Sequence, residues 1–183
     1  MQETLSTLIK KLKNCDCLEN CYDILDEYCE NIDSFQAIDL NLFKYRDIYI
    51  RTGKVFNLEV VAEVLKNIAD LNLKTAPILV ENILCKNNED MVLITKINGC
   101  VNDLEKYLKL KNELDESSKN EILEDFDKLA TKGIYNQAML EGQSNWFVIV
   151  DTKKVYIDNW EQLNYFNENQ EELRNNLLEL LSF

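Results

Sequence analysis

With no histidine among its 183 residues, the chain has no imidazole general base, no Ser-His-Asp or Cys-His nucleophile system and no zinc site with imidazole ligands. Any catalysis falls to carboxylates, Lys, Arg, Cys and Tyr. Four glycines and a single proline leave little room for linkers, and 46% hydrophobic residues are enough for a globular core. Cations are scarce: 20 Lys and Arg face 33 Asp and Glu, a net charge of -13. That balance argues against nucleic acid or an anionic membrane as partner, because each needs clustered cations. No run approaches the ~20 apolar residues of a membrane span. Met1-Gln-Glu-Thr-Leu5 lacks the basic start and apolar core of a signal peptide, so a cytoplasmic protein is expected.

A chain of this length suits one domain or one compact two-lobed unit. Its six cysteines are expected to be reduced. Cys15, Cys17, Cys21 and Cys29 lie close enough in sequence to suggest a thiolate metal site, although their spacing matches no familiar ligand pattern. The other reading is packing. Cys17, Leu18, Cys21, Ile24, Leu25, Tyr28, Cys29 and Ile32 recur at helical spacing, and cysteine in such a stripe behaves as a small core residue.

Periodicity orders the rest. Leu5, Leu8, Ile9 and Leu12 begin one amphipathic helix, and the cysteine stripe makes a second that ends near Asn31. The two pack on each other or on the sheet that follows, or else present a face to a partner. Strand-like runs follow over Phe35 to Phe43 and Asp47 to Arg51, with Gly53 closing the second. The spacing predicts a helix capped by Asn57 and faced by Leu58, Val61, Ala62, Leu65 and Ile68. Pro77 introduces a strand over Ile78 to Leu84, and a turn at Lys86 to Asp90 returns into Met91 to Ile97. Asp103 to Leu110 reads as a short helix. Ser118 with Glu121 reads as a capping box opening a helix that stops at Gly133. A hairpin of Trp146 to Val150 and Val155 to Ile157 comes next, then a last helix carrying Leu173, Leu177, Leu178 and Leu181. Asn145 and Asp158 bracket that hairpin. Their oxygens suit a magnesium ion, and both residue types are also common turn formers at strand ends.

Several segments, in order, resemble the aminoglycoside phosphotransferase and protein kinase-like superfamily. Tyr49-Ile-Arg-Thr-Gly53 is similar to its third strand, Val61 to Ala69 to its helix, and Thr75-Ala-Pro-Ile-Leu79 to the entry of its fourth strand. Met91 to Gly99 resembles the strand leading to the hinge, and Leu129 to Tyr135, Asn145 to Val148 and Val155 to Trp160 the catalytic loop and metal site. The resemblance covers Asp47 to Trp160. It implies an α+β chain with a reduced two-lobed protein kinase-like fold: an N-terminal helical hairpin over 1–34, a lobe of small antiparallel sheet and helix over 35–98, and a reduced C-lobe over 99–183. It also implies a nucleotide cleft in which Arg51, Asn145 and Asp158 bind ATP, with Asn145 and Asp158 holding magnesium.

The departures from the family pattern bear on activity. Arg51 stands where a phosphate-gripping lysine belongs, and its planar fork is not equivalent to an ammonium. Val61 occupies the position of the helix glutamate, with Glu59 and Glu63 two residues to either side. Ile134 to Asn145 has no His-x-Asp; Asn136 and Ala138 fall nearest those positions. No glycine-rich loop precedes Tyr49, and Asn159 to Phe183 is too short for the helical subdomain that builds an acceptor site. The expectation is a catalytically degenerate kinase-like protein that acts as a protein-interaction or regulatory module. The alternative is a divergent ATP- and magnesium-dependent phosphotransferase for a small hydroxyl-bearing substrate, with Glu141 or Asp151 as base. An unrelated α+β adaptor is the third reading.

Overall fold

The computed structural model describes residues 2–97, 104–106, 114–141, 146–149, 154–157, 160, 162–166 and 169–181. It is a mixed α+β chain that divides into two compact units, Met1–Glu63 with Ile78–Lys96, and Val64–Pro77 with Ile97–Phe183.

The first unit opens with α1 (Gln2–Leu12) and α2 (Leu18–Asn31). The apolar stripes behave as their spacing requires: Leu8, Leu12, Cys21 and Leu25 are all buried. Beneath them lies a five-stranded antiparallel sheet built from β1 (Phe35–Asp39), β2 (Leu42–Tyr45), β3 (Ile48–Lys54), β4 (Ile78–Leu84) and β5 (Asp90–Lys96). Its order is β1-β2-β3-β5-β4, so β3 and β5 are interior and β1 and β4 form the edges. Alternation along each strand sends Phe43, Tyr45, Ile48, Ile50, Ile83, Val92 and Ile94 into one core with the two helices. The loop between the helices is tied to the β4–β5 turn, because the Lys86 and Asn87 amides donate to the Cys15 and Asp16 carbonyls at 3.1 and 3.0 Å.

The run Phe35 to Phe43 is therefore a hairpin rather than one strand. β3 continues past Gly53 to Lys54 and passes directly into α3 (Val55–Ile68), within which the division between the two units falls. Asn57 is inside this helix instead of capping it, because Lys54 is still held opposite Asp90 and the Val55 amide donates to the Glu89 carbonyl at 2.9 Å.

The second unit contains β6 (Leu104–Lys106), α4 (Glu116–Ala130), β7 (Ile134–Asn136), α5 (Gln137–Glu141), β8 (Trp146–Ile149), β9 (Lys154–Ile157), β10 (Leu163–Tyr165) and α6 (Gln170–Leu181). The helix expected over Asp103 to Leu110 is replaced at Leu104–Lys106 by a strand paired with β8, a long-range partner that outweighs local helix propensity. The β8–β9 hairpin forms in the register Trp146↔Ile157. Asp115, not Ser118, caps α4; its carboxylate accepts the Ser118 amide at 2.8 Å and places a negative charge at the helix start. Gly133, at φ 71, ends the turn after α4 in the left-handed region.

Candidate functional site

Arg51 stands on the interior strand β3, half-buried, between Leu42 of β2 and Leu93 of β5. Two residues earlier on the same sheet face, Tyr49 lies between Lys44 and Thr95, and all three of these side chains are buried. The Tyr49 hydroxyl has no hydrogen-bond partner among the described residues, and burial pushes its phenol well above the ordinary range. Val61 is buried on α3, whereas Glu59 and Glu63 are exposed, as a rotation of about 200° over two helical residues requires.

The segment nearest the expected catalytic loop contains no acid in its buried part. β7 ends at Asn136, whose side-chain Oδ1 accepts the Ala138 amide at 3.0 Å and so starts α5. Asn136, Ala138 and Met139 are all fully buried. The Asn136 amide nitrogen finds no acceptor among the described residues. Glu141, the only carboxylate of this stretch, is exposed at the last position of α5. Trp160 is buried and donates from its indole to the Ile157 carbonyl at 2.7 Å. Asn145, Asp151 and Asp158 lie outside the described residues. Arg51 belongs to the first unit and Glu141 to the second, and each stands on its own element.

Of the clustered cysteines, Cys15 and Cys21 are buried in the core, and Cys17 and Cys29 are half-buried. Cys21 and Cys85 approach to 3.7 Å, between α2 and the end of β4, and burial pushes the thiols of Cys15, Cys21 and Cys85 up. Among the described residues no group of three or more His, Cys, Asp or Glu side chains could hold a metal ion. Nearby, Asp90 is buried at the β5 start, where it accepts from Lys54 at 2.7 Å, Asn87 at 2.7 Å and the Leu18 amide at 3.1 Å. These bonds, the Lys54 one foremost, hold its carboxyl below the usual range.

Two features escaped the sequence reading. A cavity of about 370 Å³ opens between α1 and α2, lined by Thr4, Thr7, Lys11, Glu27, Tyr28 and Asn31 among others. Its rim carries the Lys11–Glu27 ion pair at 3.2 Å, with the ammonium 5.2 Å from the Tyr28 ring centre. The second is an acidic row along α2 and its two flanks, whose signal was present as the three- and four-residue spacing of Asp16, Glu19, Asp23, Asp26, Glu30 and Asp33. Among the described residues no helix is long and apolar enough to cross a membrane. No family model matches the chain, and no curated protein compared with it is similar to it.

Proposed function

We propose that the protein is a catalytically degenerate kinase-like module that works by binding another protein. The kinase-like part of this reading is supported by a small antiparallel sheet whose third strand carries Arg51 and leads through one helix into its fourth strand. The loss of activity rests on one observation: fully buried Ala138 sits near Asn136, whose side-chain Oδ1 is committed to the Ala138 amide, where the resemblance calls for an acceptor-activating acid. Phosphoryl transfer depends on positioned charge, so an uncharged, buried segment there removes the group that orients the attacking hydroxyl. Glu141 would have to serve from an exposed helix end. The expectation of a protein partner belongs to this proposal, whereas the implied ATP and magnesium ligands Arg51, Asn145 and Asp158 belong to the alternative, a divergent phosphotransferase.

Thermal unfolding with and without ATP and magnesium tests the reading, with Asp158→Ala as control. A nucleotide that binds only the folded chain adds ~2.7 kcal/mol of stability at a hundredfold excess over its Kd. The module reading expects no shift. A shift that Asp158→Ala abolishes would overturn it in favour of the phosphotransferase.

A further inference from the structure

β1 is an edge strand whose residues after Phe35 are all exposed. At its tip Ile38 and Leu40 are 48% and 87% exposed, an unusual cost for two large apolar side chains two positions apart in one hairpin. The strand is seated on α2: Phe35 packs against Tyr28 at 5.6 Å between ring centres, and the Cys29 thiol meets the main chain of Ala37. Thus the C-terminal part of the acidic row, Asp26, Glu30 and Asp33, adjoins this edge, and Asp26 acts on the Cys29 thiol that meets it. From Asn14 to Phe43 there are eight acidic residues and no Lys or Arg. Asp16 is bridged to Lys86 and Glu27 to Lys11; Glu19, Asp23, Asp26, Glu30 and Asp33 have no cation partner among the described residues.

We propose that the open β1 edge, with Ile38 and Leu40 at its tip and the α2 carboxylates beside it, is a docking surface for an extended basic segment of a partner protein that alternates apolar residues with Lys or Arg. The alternation follows from the pleat. Ala37 and Phe35 face α2 with their partners Phe43 and Tyr45, while Gln36, paired with Lys44, faces the other way. A strand added to this edge would turn one set of side chains towards the carboxylates and the other towards Ile38. A register shift between Ala37 and Asp39 limits main-chain pairing to the first residues of β1, so charge must carry much of the affinity. The opposite edge differs. β4 also exposes Ile78 and Val80, but its Glu81 is already bridged to Lys13 at 2.9 Å, and no uncompensated charge there selects an occupant. A second copy of the chain is opposed by its net charge of -13.

The inference rests on the interaction-module reading and specifies its partner. Its test uses the full chain and two fluorescent peptides, one alternating lysine with valine and one alternating glutamate with valine, followed by anisotropy. The lysine peptide should bind, the glutamate peptide should not, and binding should weaken roughly tenfold between low and physiological salt. The triple variant Asp26→Asn, Glu30→Gln, Asp33→Asn and, separately, the double variant Ile38→Ser, Leu40→Ser should each weaken binding roughly tenfold. Both should keep the wild-type melting temperature, and Ile78→Ser with Val80→Ser should bind as wild type. Equal binding of both peptides, indifference to both sets of hairpin and α2 variants, or a dimer in sedimentation that Ile38→Ser, Leu40→Ser dissolves would each overturn the proposal. Stabilisation by ATP would overturn the module reading while leaving the peptide measurement unaffected, so the two failures are distinguishable.

Discussion

Asp125 and Thr75 are joined twice through one oxygen: Oδ2 of the buried carboxylate accepts the Thr75 amide at 2.7 Å and the Thr75 hydroxyl at 2.6 Å. Oδ1 accepts the Lys74 amide at 3.0 Å, and the Thr75 carbonyl in turn accepts the Ile157 amide at 2.9 Å. One side chain of α4 thereby fixes the segment before Pro77 and, through it, β9. Asp125→Ala leaves the buried Thr75 amide and hydroxyl and the part-buried Lys74 amide without their acceptor and should destabilise the chain by about 3 kcal/mol, read by urea unfolding. Thr75→Val, which removes only the hydroxyl, should cost about 1 kcal/mol. Equal losses from the two variants would show that the hydroxyl, not the amides, carries the joint.

The Asp90 cluster contributes to the acid limb of the stability profile. Its folded carboxyl lies below the ordinary value, chiefly through Lys54, so its contribution is complete above the usual carboxylate range and is lost as pH falls below it. Asp90→Asn should lower stability at neutral pH by about 2 kcal/mol and flatten the acid limb between about pH 5 and pH 2. An unchanged acid limb in the variant would assign it to other carboxylates.

The thiols act at the other end. Cys15, Cys21 and Cys85 have their ionisation pushed up by burial, so the neutral form is favoured in the folded chain and stability falls as pH rises past the ordinary thiol value of about 8.5. Cys21→Ala should reduce that alkaline loss. In the native chain, peptide mapping after alkylation should find half-buried Cys17 modified well before Cys21 or Cys85, which should react only on unfolding.

Gly133 separates backbone from packing. A methyl group added there meets nothing within 4 Å, so Gly133→Ala tests the positive φ alone and should cost roughly 1 kcal/mol, with Gly133→Asn costing less. A neutral alanine would mean that the turn after Ala130 relaxes without penalty.

How far the sequence revealed this fold depended on whether local spacing or distant pairing decided each element. Leu8, Leu12, Cys21 and Leu25 announced two helices because a single buried face imposes its period directly. Ile48 to Ile50 and Met91 to Ile94 were legible because each is a short apolar run rich in β-branched and aromatic residues. Leu104–Lys106 and Leu163–Tyr165 were not: three residues carry no period, and only their partners β8 and β7 make them strands. Ser118 matched a cap pattern, but Asp115 three residues earlier offers the stronger acceptor. At the candidate site, the identities and order of Arg51, Val61 and Ala138 could be read from the sequence alone. The stranded Tyr49 hydroxyl and Asn136 amide could not, since an unpaired buried donor is a property of the surroundings.

The first unit is discontinuous in sequence, and this bears on its birth at the ribosome. β3 finds its second neighbour only in β5, after an excursion through Val64–Pro77 and the edge strand β4. Until Lys96 has left the exit tunnel, α1, α2 and the first three strands can cover only part of the core, with Ile50 lacking Ile94 across the sheet. A nascent chain halted at Glu63 would thus expose an open, apolar-flanked strand to solvent and to holdase chaperones, and release from them should coincide with the emergence of β5.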